Sequence, residues 1–203
     1  YIKGNNPQYP VIDFQQPLYI ATQLSIPNGI GWLNTTTYKY EKAQLHFQGK
    51  GFLGFDKMTS DNLTAKIKTE DEYTLNNTFY EKTPSKTTVR TTNSVAPPAN
   101  TLVSEDVYAN SFHVTVNNPN ASGDAHFVTT DNIVSSNHIS GAKTTQSLLY
   151  DANGNITSST TIIGNTINAA TIETTVVATP NYIQAGSWLP NVPDVTTTTI
   201  TRT

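Results

Sequence analysis

Apolar residues in this chain recur at every second position in short runs, and no segment repeats them with a 3.6-residue period. Tyr38 and Tyr40, then Ala43, Leu45 and Phe47, then Leu63, Ala65 and Ile67, then Tyr73 and Leu75 all follow the two-residue period of a half-buried strand. Strands are predicted over 18–26, 34–47, 52–58, 63–80, 87–91, 102–116, 125–134, 144–150, 156–163, 167–177 and 195–203. Residues 1–16 form an extended lead-in, which Pro7, Pro10 and Pro17 keep out of helices and central strands. Turn chemistry at Pro27-Asn28-Gly29 and at Asn117-Asn118-Pro119-Asn120, with Gly123, closes two of the runs. The inward parity switches between Tyr40 and Ala43, which predicts a bulge or turn near Glu41-Lys42. Gly49 and Gly51 permit a tight reversal, with 52–58 returning as the partner strand. Glu70, Asp71 and Glu72 interrupt the alternation of 63–80 and read as a solvated turn. The predicted fold class is all-β: antiparallel β-hairpins forming an extended or curved sheet, with a β-sandwich as the alternative. The 203 residues read as one β-rich fragment of a longer chain, with a candidate sub-boundary at the exposed loop 92–100.

Composition sharpens this picture. Apolar residues make up 36% and charged residues 13%, and threonine alone supplies about a sixth of the chain. Threonine is β-branched and suits a half-exposed pleated face better than a helix. The net charge is -3, with lysines and arginines scattered, so no basic stripe is offered to nucleic acid. No apolar run is long enough to span a bilayer as a helix. With no cysteine, disulfides and thiolate metal sites are excluded.

Candidate chemistry is sparse. Gly49-x-Gly51-x-x-Gly54 matches the spacing of a dinucleotide-binding loop, whose mechanism needs a helix to begin at the third glycine. The residues that follow, FDKMTSDNLTAKIKT, are strand-like instead. Asp151-x-Asn153-x-Asn155 alternates oxygen ligands in the manner of a calcium loop, yet Ile162 occupies the place of the bidentate glutamate; a β-turn explains the same residues. His46, His113, His126 and His138 never fall at metal-ligand spacing. No catalytic site, cofactor or metal is predicted. Tyr9, Tyr19, Tyr80, Tyr108, Tyr182 and Trp188 are candidates for a sugar-stacking platform if several share one face, with Tyr182 and Trp188 the foremost glycan-facing pair.

Two segments carry a resemblance. Tyr38-x-Tyr40 followed by Gly49-Lys50-Gly51-Phe52-Leu53-Gly54-Phe55 resembles the aromatic Y-x-Y … G-R-G-F-x-G-F signature of Rhs/YD-repeat proteins, with Lys50 in the place of the usual arginine. Leu149-Tyr150-Asp151-Ala152-Asn153-Gly154-Asn155-Ile156-Thr157 resembles one YD repeat, preceded by Gly141, and Trp188-Leu189-Pro190 is similar to the Trp-containing strand ahead of the first regular repeats. The resemblance implies a non-catalytic wall segment where the chain enters a repeat shell, as in the B components of toxin complexes. It further implies a bacterial, secreted or surface-attached parent that encapsulates or adheres. The partners would be adjacent repeats of that parent, and an enclosed C-terminal toxin or a surface glycan. A surface-displayed carbohydrate-binding β-sandwich is the alternative function. In a YD hairpin the tyrosine supplies apolar area and a hydroxyl that needs a partner, the aspartate caps the turn, and Gly154 accepts a backbone angle that other residues resist. Phe52 and Phe55 are expected to bury against neighbouring sheet.

Overall fold

The computed structural model describes residues 2–4, 8–92, 100–114, 126–151, 154–165, 174–182 and 193–202; over 174–182 and most of 193–202 it describes backbone pairing. The chain is all-β, and the described residues contain no helix. It divides into two compact units, Tyr1–Glu105 and Asp106–Thr203. The loop expected at 92–100 falls almost wholly outside the described residues, as do the turn at 117–123, Ala152, Asn153, Ile167 and Trp188.

The first unit holds β1 (Val11–Asp13), β2 (Gln23–Pro27), β3 (Leu33–Glu41), β4 (Gln44–His46), β5 (Gly51–Gly54), β6 (Lys57–Asn62), β7 (Ile67–Asn76) and β8 (Glu81–Thr91). The strand β9 (Leu102–Val114) begins in it. One antiparallel sheet runs in the order β2-β3-β6-β7-β8, and a smaller one in the order β1-β4-β5. The predicted parity break is a change of sheet. The chain leaves β3 through Lys42, whose φ of 53° is left-handed, builds the β4–β5 hairpin in the small sheet, and returns at Asp56. There the Asp56 amide donates to the Glu41 carbonyl at 3.0 Å, and β6 pairs with β3 from Glu41↔Lys57 to Thr36↔Asn62. One hairpin is therefore inserted at the tip of another.

Several sequence expectations are corrected here. The run 52–58 is two strands in two sheets, β5 and β6, and not one partner strand. Residues 63–66 form the turn between β6 and β7, in which Asn62 Oδ1 accepts from the amides of Thr64 and Ala65. Glu70, Asp71 and Glu72 lie in the middle of β7, paired with both β6 and β8. Cations across the sheet make that placement affordable. Lys57 Nζ reaches Glu70 at 3.1 Å and Glu72 at 3.5 Å, Lys68 reaches Glu70 at 3.4 Å, and Asp71, on the opposite face, accepts from Thr87 Oγ1 at 2.8 Å. Adjacency in sequence reads as a solvated turn, but pleating sends alternate carboxylates to opposite faces of one strand. Pro84 sits inside β8 where the register with β7 shifts, the bulge position at which a residue lacking N–H is tolerated.

The second unit contains the remainder of β9, then β10 (His126–Asn137), β11 (Ala142–Tyr150), β12 (Ile156–Asn165), β13 (Thr174–Tyr182) and β14 (Pro193–Arg202). They form an antiparallel meander in chain order. Among the described residues only Val11 and Ala43 are buried hydrophobics, whereas Thr59, Thr83, Thr88 and Thr129 are buried polar ones. A sandwich would bury an apolar row from each of two facing sheets. These sheets instead rest on backbone ladders and cross-strand pairs of threonine and charge.

Candidate functional site

The Tyr38–Phe55 signature builds the excursion between β3 and β6. Gly49, Gly51 and Gly54 take φ values of 114°, 75° and 88°, and no atom lies within 4 Å of where a Cβ would stand. Their glycine identity is thus a backbone requirement, set by the reversal and not by close packing. Tyr40 packs against Phe55 with ring centroids 4.8 Å apart and planes tilted by 44°, and donates its hydroxyl to Ala21 O at 3.0 Å. Tyr38 is half-buried on the same strand. Phe55 meets Phe52 edge-on at 5.6 Å, and Phe52 meets Phe14 at 5.3 Å. Phe52 is nonetheless 44% exposed, so the expected full burial of this ring is corrected to an edge contact at the rim of the small sheet. Lys50 donates its ammonium to the Phe79 carbonyl. The strand β6 follows Gly54 after only Phe55 and Asp56, where a dinucleotide site would need a helix N-terminus to face the pyrophosphate.

In the second unit, Tyr150, Asp151 and Gly154 form the β11–β12 turn. Asp151 Oδ1 accepts from the Asn155 amide and Oδ2 from the Asn155 side-chain nitrogen, both at 2.8 Å. The Asp151 carbonyl accepts from the Gly154 amide at 3.1 Å. Gly154 has φ 84°, and a Cβ there would stand 3.0 Å from the Phe127 ring; here both backbone angle and packing require glycine. Tyr150 donates its hydroxyl to Thr130 O at 2.9 Å. Burial, followed by the nearby Asp131 carboxylate, holds its phenol above the usual value. The Asp151 carboxylate is therefore spent on the turn itself and not held open as a cation ligand.

Among the described residues, one histidine lies beside a carboxylate network in a way that bears on catalysis. His113 Nε2 lies 2.8 Å from Thr129 Oγ1, which donates to Asp131 Oδ1 at 2.7 Å, and Ser111 donates to the same carboxylate. Since Thr129 gives its proton to Asp131, it accepts from His113. The histidine thus donates to a hydroxyl it would have to deprotonate in a triad. The set is a cross-strand polar ladder between β9 and β10, with His113 stacked on Phe127 at 4.9 Å. No group of three or more His, Asp or Glu among the described residues is arranged to hold a metal.

In the first unit a cleft of 530 Å³ lies between the small sheet and the end of the β7–β8 hairpin. Tyr9, Tyr73 and Tyr80 line it, together with Gln44, Asp56 and Asn77. The hairpin tip is held by Asn76, whose Oδ1 accepts from the amides of Thr78 and Phe79 at 2.8 and 2.9 Å. Tyr80 then leaves the turn with φ 52° and lays its ring on His46 at 4.2 Å. On the cleft floor Asp56 is held by Lys82 Nζ at 2.6 Å, and Lys42 approaches at 3.9 Å. Lys82 is only 6% exposed in its side chain. Its burial outweighs the pull of Asp56 and sets its pKa below the ordinary lysine value. Burial, then Asp71, raises the phenol of Tyr73. Gln44 Oε1 and His46 Nε2 are buried without a hydrogen-bond partner.

Of the aromatics singled out in the sequence, the structure brings Tyr9 and Tyr80 into this cleft. Tyr19 projects fully into solvent, Tyr108 belongs to the second unit, the backbone of Tyr182 is placed in β13, and Trp188 lies outside the described residues. Nothing in the residue order marks Tyr73, Gln44 and Lys82 as neighbours, because they converge through contacts between strands of two sheets. Among the described residues no helix is long and apolar enough to cross a membrane. No protein-family model, curated protein or solved structure matches the chain.

Proposed function

We propose that the chain is a non-catalytic wall segment of Rhs/YD-repeat type, carried by an exported or surface-attached bacterial parent whose task is encapsulation or adhesion. The observation that carries this reading is the state of the sheet edge. The strand β2 is last in its sheet, all five of its residues are exposed, and they include Leu24 at 48% and Ile26 at 53%. A strand edge with exposed apolar residues is a template for further pairing, and the proline of β2 stands at its last position, Pro27, so it leaves Gln23 to Ile26 unblunted. The meander agrees with lateral growth, since β10 to β14 each add beside the preceding strand. So does the scarcity of buried apolar side chains among the described residues, because a wall finds its second surface in neighbouring repeats or in enclosed cargo. On this reading the Gly49–Phe55 excursion and the Tyr150–Gly154 turn are joinery.

Hydrogen exchange on this chain and on the longer parent chain tests the reading. Amides of Gln23 to Ile26 that point away from β3 are expected to exchange rapidly here and to gain protection in the parent. Equal, rapid exchange in both would show an edge with no continuation and would overturn it.

A further inference from the structure

We propose that the tip of the β2–β3 hairpin, with Ile26, Ile30, Trp32 and Leu33, anchors the chain to an uncharged lipid surface. The ladder between the two strands ends at Pro27↔Leu33. Pairing of another strand with the β2 edge would leave Asn28 to Trp32 uncovered, so the inference does not depend on the wall reading.

Four large apolar side chains are held in water at this tip. Ile30 is 79% exposed and Trp32 74%, and Ile26 and Leu33 are each more than half exposed. The turn that carries them is locked. The Asn28 amide donates to the Trp32 carbonyl at 3.0 Å, and Asn28 Oδ1 accepts from the Ile30 and Trp32 amides at 3.0 and 3.1 Å. Gly29 and Gly31 supply the left-handed angles that close it, with φ 82° and 88°. A single exposed apolar residue needs no explanation, but a cluster of them on one projecting turn marks an interaction site.

The surroundings of the tip select lipid as the partner. From Phe14 to Tyr38 the sequence carries no charged residue. The tip therefore offers nothing to a charged surface and brings no ion to desolvate on insertion. Leu33 pairs with Pro27, the neighbour of Ile26, and adjacent residues of a strand point to opposite faces. Ile26 and Leu33 thus flank the tip on opposite sides. A flat protein surface would cover one side, whereas a bilayer surrounds both. The three hydrogen bonds of Asn28, with Pro27 lacking an N–H, reduce the backbone groups that lose water when the tip leaves it. Trp32 adds an apolar body with one polar N–H, the combination that concentrates tryptophan at membrane–water boundaries. Asn34, Thr35, Thr36 and Thr37 follow the tip with polar side chains, which limits insertion to the headgroup boundary, about 5–10 Å deep.

Flotation of the 203-residue chain with phosphatidylcholine vesicles tests this. At about 5 mM lipid, a partition constant like that of one acyl chain, about 10⁴ M⁻¹, carries most of the chain to the membrane. Binding should persist in about 1 M salt and gain nothing from added phosphatidylglycerol. In a Trp188→Phe background, Trp32 emission should shift to the blue with vesicles and be quenched by lipids brominated on the upper acyl chain. Ile30→Ser and Trp32→Ala should each lower the partition about tenfold, since each removes a large apolar side chain from the boundary. Both residues are exposed, so both variants should keep the circular-dichroism melt of the parent chain, and either one suffices if the other misfolds. Absence of flotation, flotation undiminished in both variants, or flotation abolished by salt would each overturn the proposal. So would a Trp32→Ala chain that sediments differently from the parent chain without lipid while neither floats, a result that would assign the tip to contact with a second copy.

Discussion

Glycines with the same backbone sign carry different loads in this protein. Gly49 turns the chain into open space, whereas Gly154 turns it against the Phe127 ring. Alanine at Gly49 should cost about 1 kcal/mol from left-handed strain alone. At Gly154 the added methyl must also displace an aromatic ring, and the cost should rise to roughly 2–4 kcal/mol. Urea denaturation followed by circular dichroism measures both, and equal losses would show that the Phe127 contact yields freely. The Asp151 carboxylate closes its turn through two hydrogen bonds to Asn155, so Asp151→Ala should destabilise the second unit by roughly 1–3 kcal/mol. Amide exchange at Asn155 is the sensitive probe, since its N–H loses its acceptor. The chemistry of both turns was legible in the residue types, because a positive φ and a side-chain cap are local demands. The Phe127 contact was not, since it comes from a strand more than 20 positions away.

At the scale of elements, β7 shows how a pleat organises charge. Burial alone would raise the pKa of Glu70, but the hydrogen bond and charge of Lys57, then Lys68, hold it below the ordinary carboxylate value. Burial likewise opposes the charge on Lys57, yet Glu70, Glu72 and Glu41 raise its pKa above the ordinary lysine value. The contribution of Glu70 to stability is therefore complete above the unfolded carboxylate pKa, about 4.3, and is lost as pH falls through its lower folded value. That of Lys57 is complete below the unfolded lysine pKa, about 10.4, and is lost as pH rises through its higher folded value. Glu70→Gln should cost about 1 kcal/mol at pH 7, a modest value for a partly solvated cluster. It should also shrink the drop in urea midpoint between pH 7 and pH 3. A variant whose acid-side drop matched that of the parent chain would show that the pairing contributes nothing. Alternation predicted strands on both sides of the acidic triplet; Lys68 lies two residues from Glu70 on β7 itself, but Lys57 on β6 and Thr87 on β8 carry no mark of their role in the sequence.

For the whole molecule, the decisive property is how little apolar side chain is buried among the described residues. Stability then rests on hydrogen-bond ladders, each net bond contributing roughly 0.5–1.5 kcal/mol, and on half-buried threonine faces. Such a sheet is sensitive to its borders. On the wall reading the exposed β2 edge should make the chain self-associate as concentration rises, and Ile26→Lys should suppress that without altering the fold, since a lysine on an edge strand opposes pairing with another chain. Sedimentation velocity across a concentration series is the measurement; association unchanged by Ile26→Lys would place the sticky surface elsewhere.

By itself the sequence determined the β class, the glycine turns at Gly49 and Gly154 and the place near Glu41-Lys42 where the parity breaks, because each follows from a local period or a local backbone angle. Only tertiary structure decided that this break is a change of sheet, that Glu70, Asp71 and Glu72 sit mid-strand, and that Tyr9, Tyr73 and Tyr80 face one cleft. Those outcomes depend on which strands become neighbours, a choice made by pairing energies summed over distant segments, and a two-residue alternation looks the same whichever partner wins.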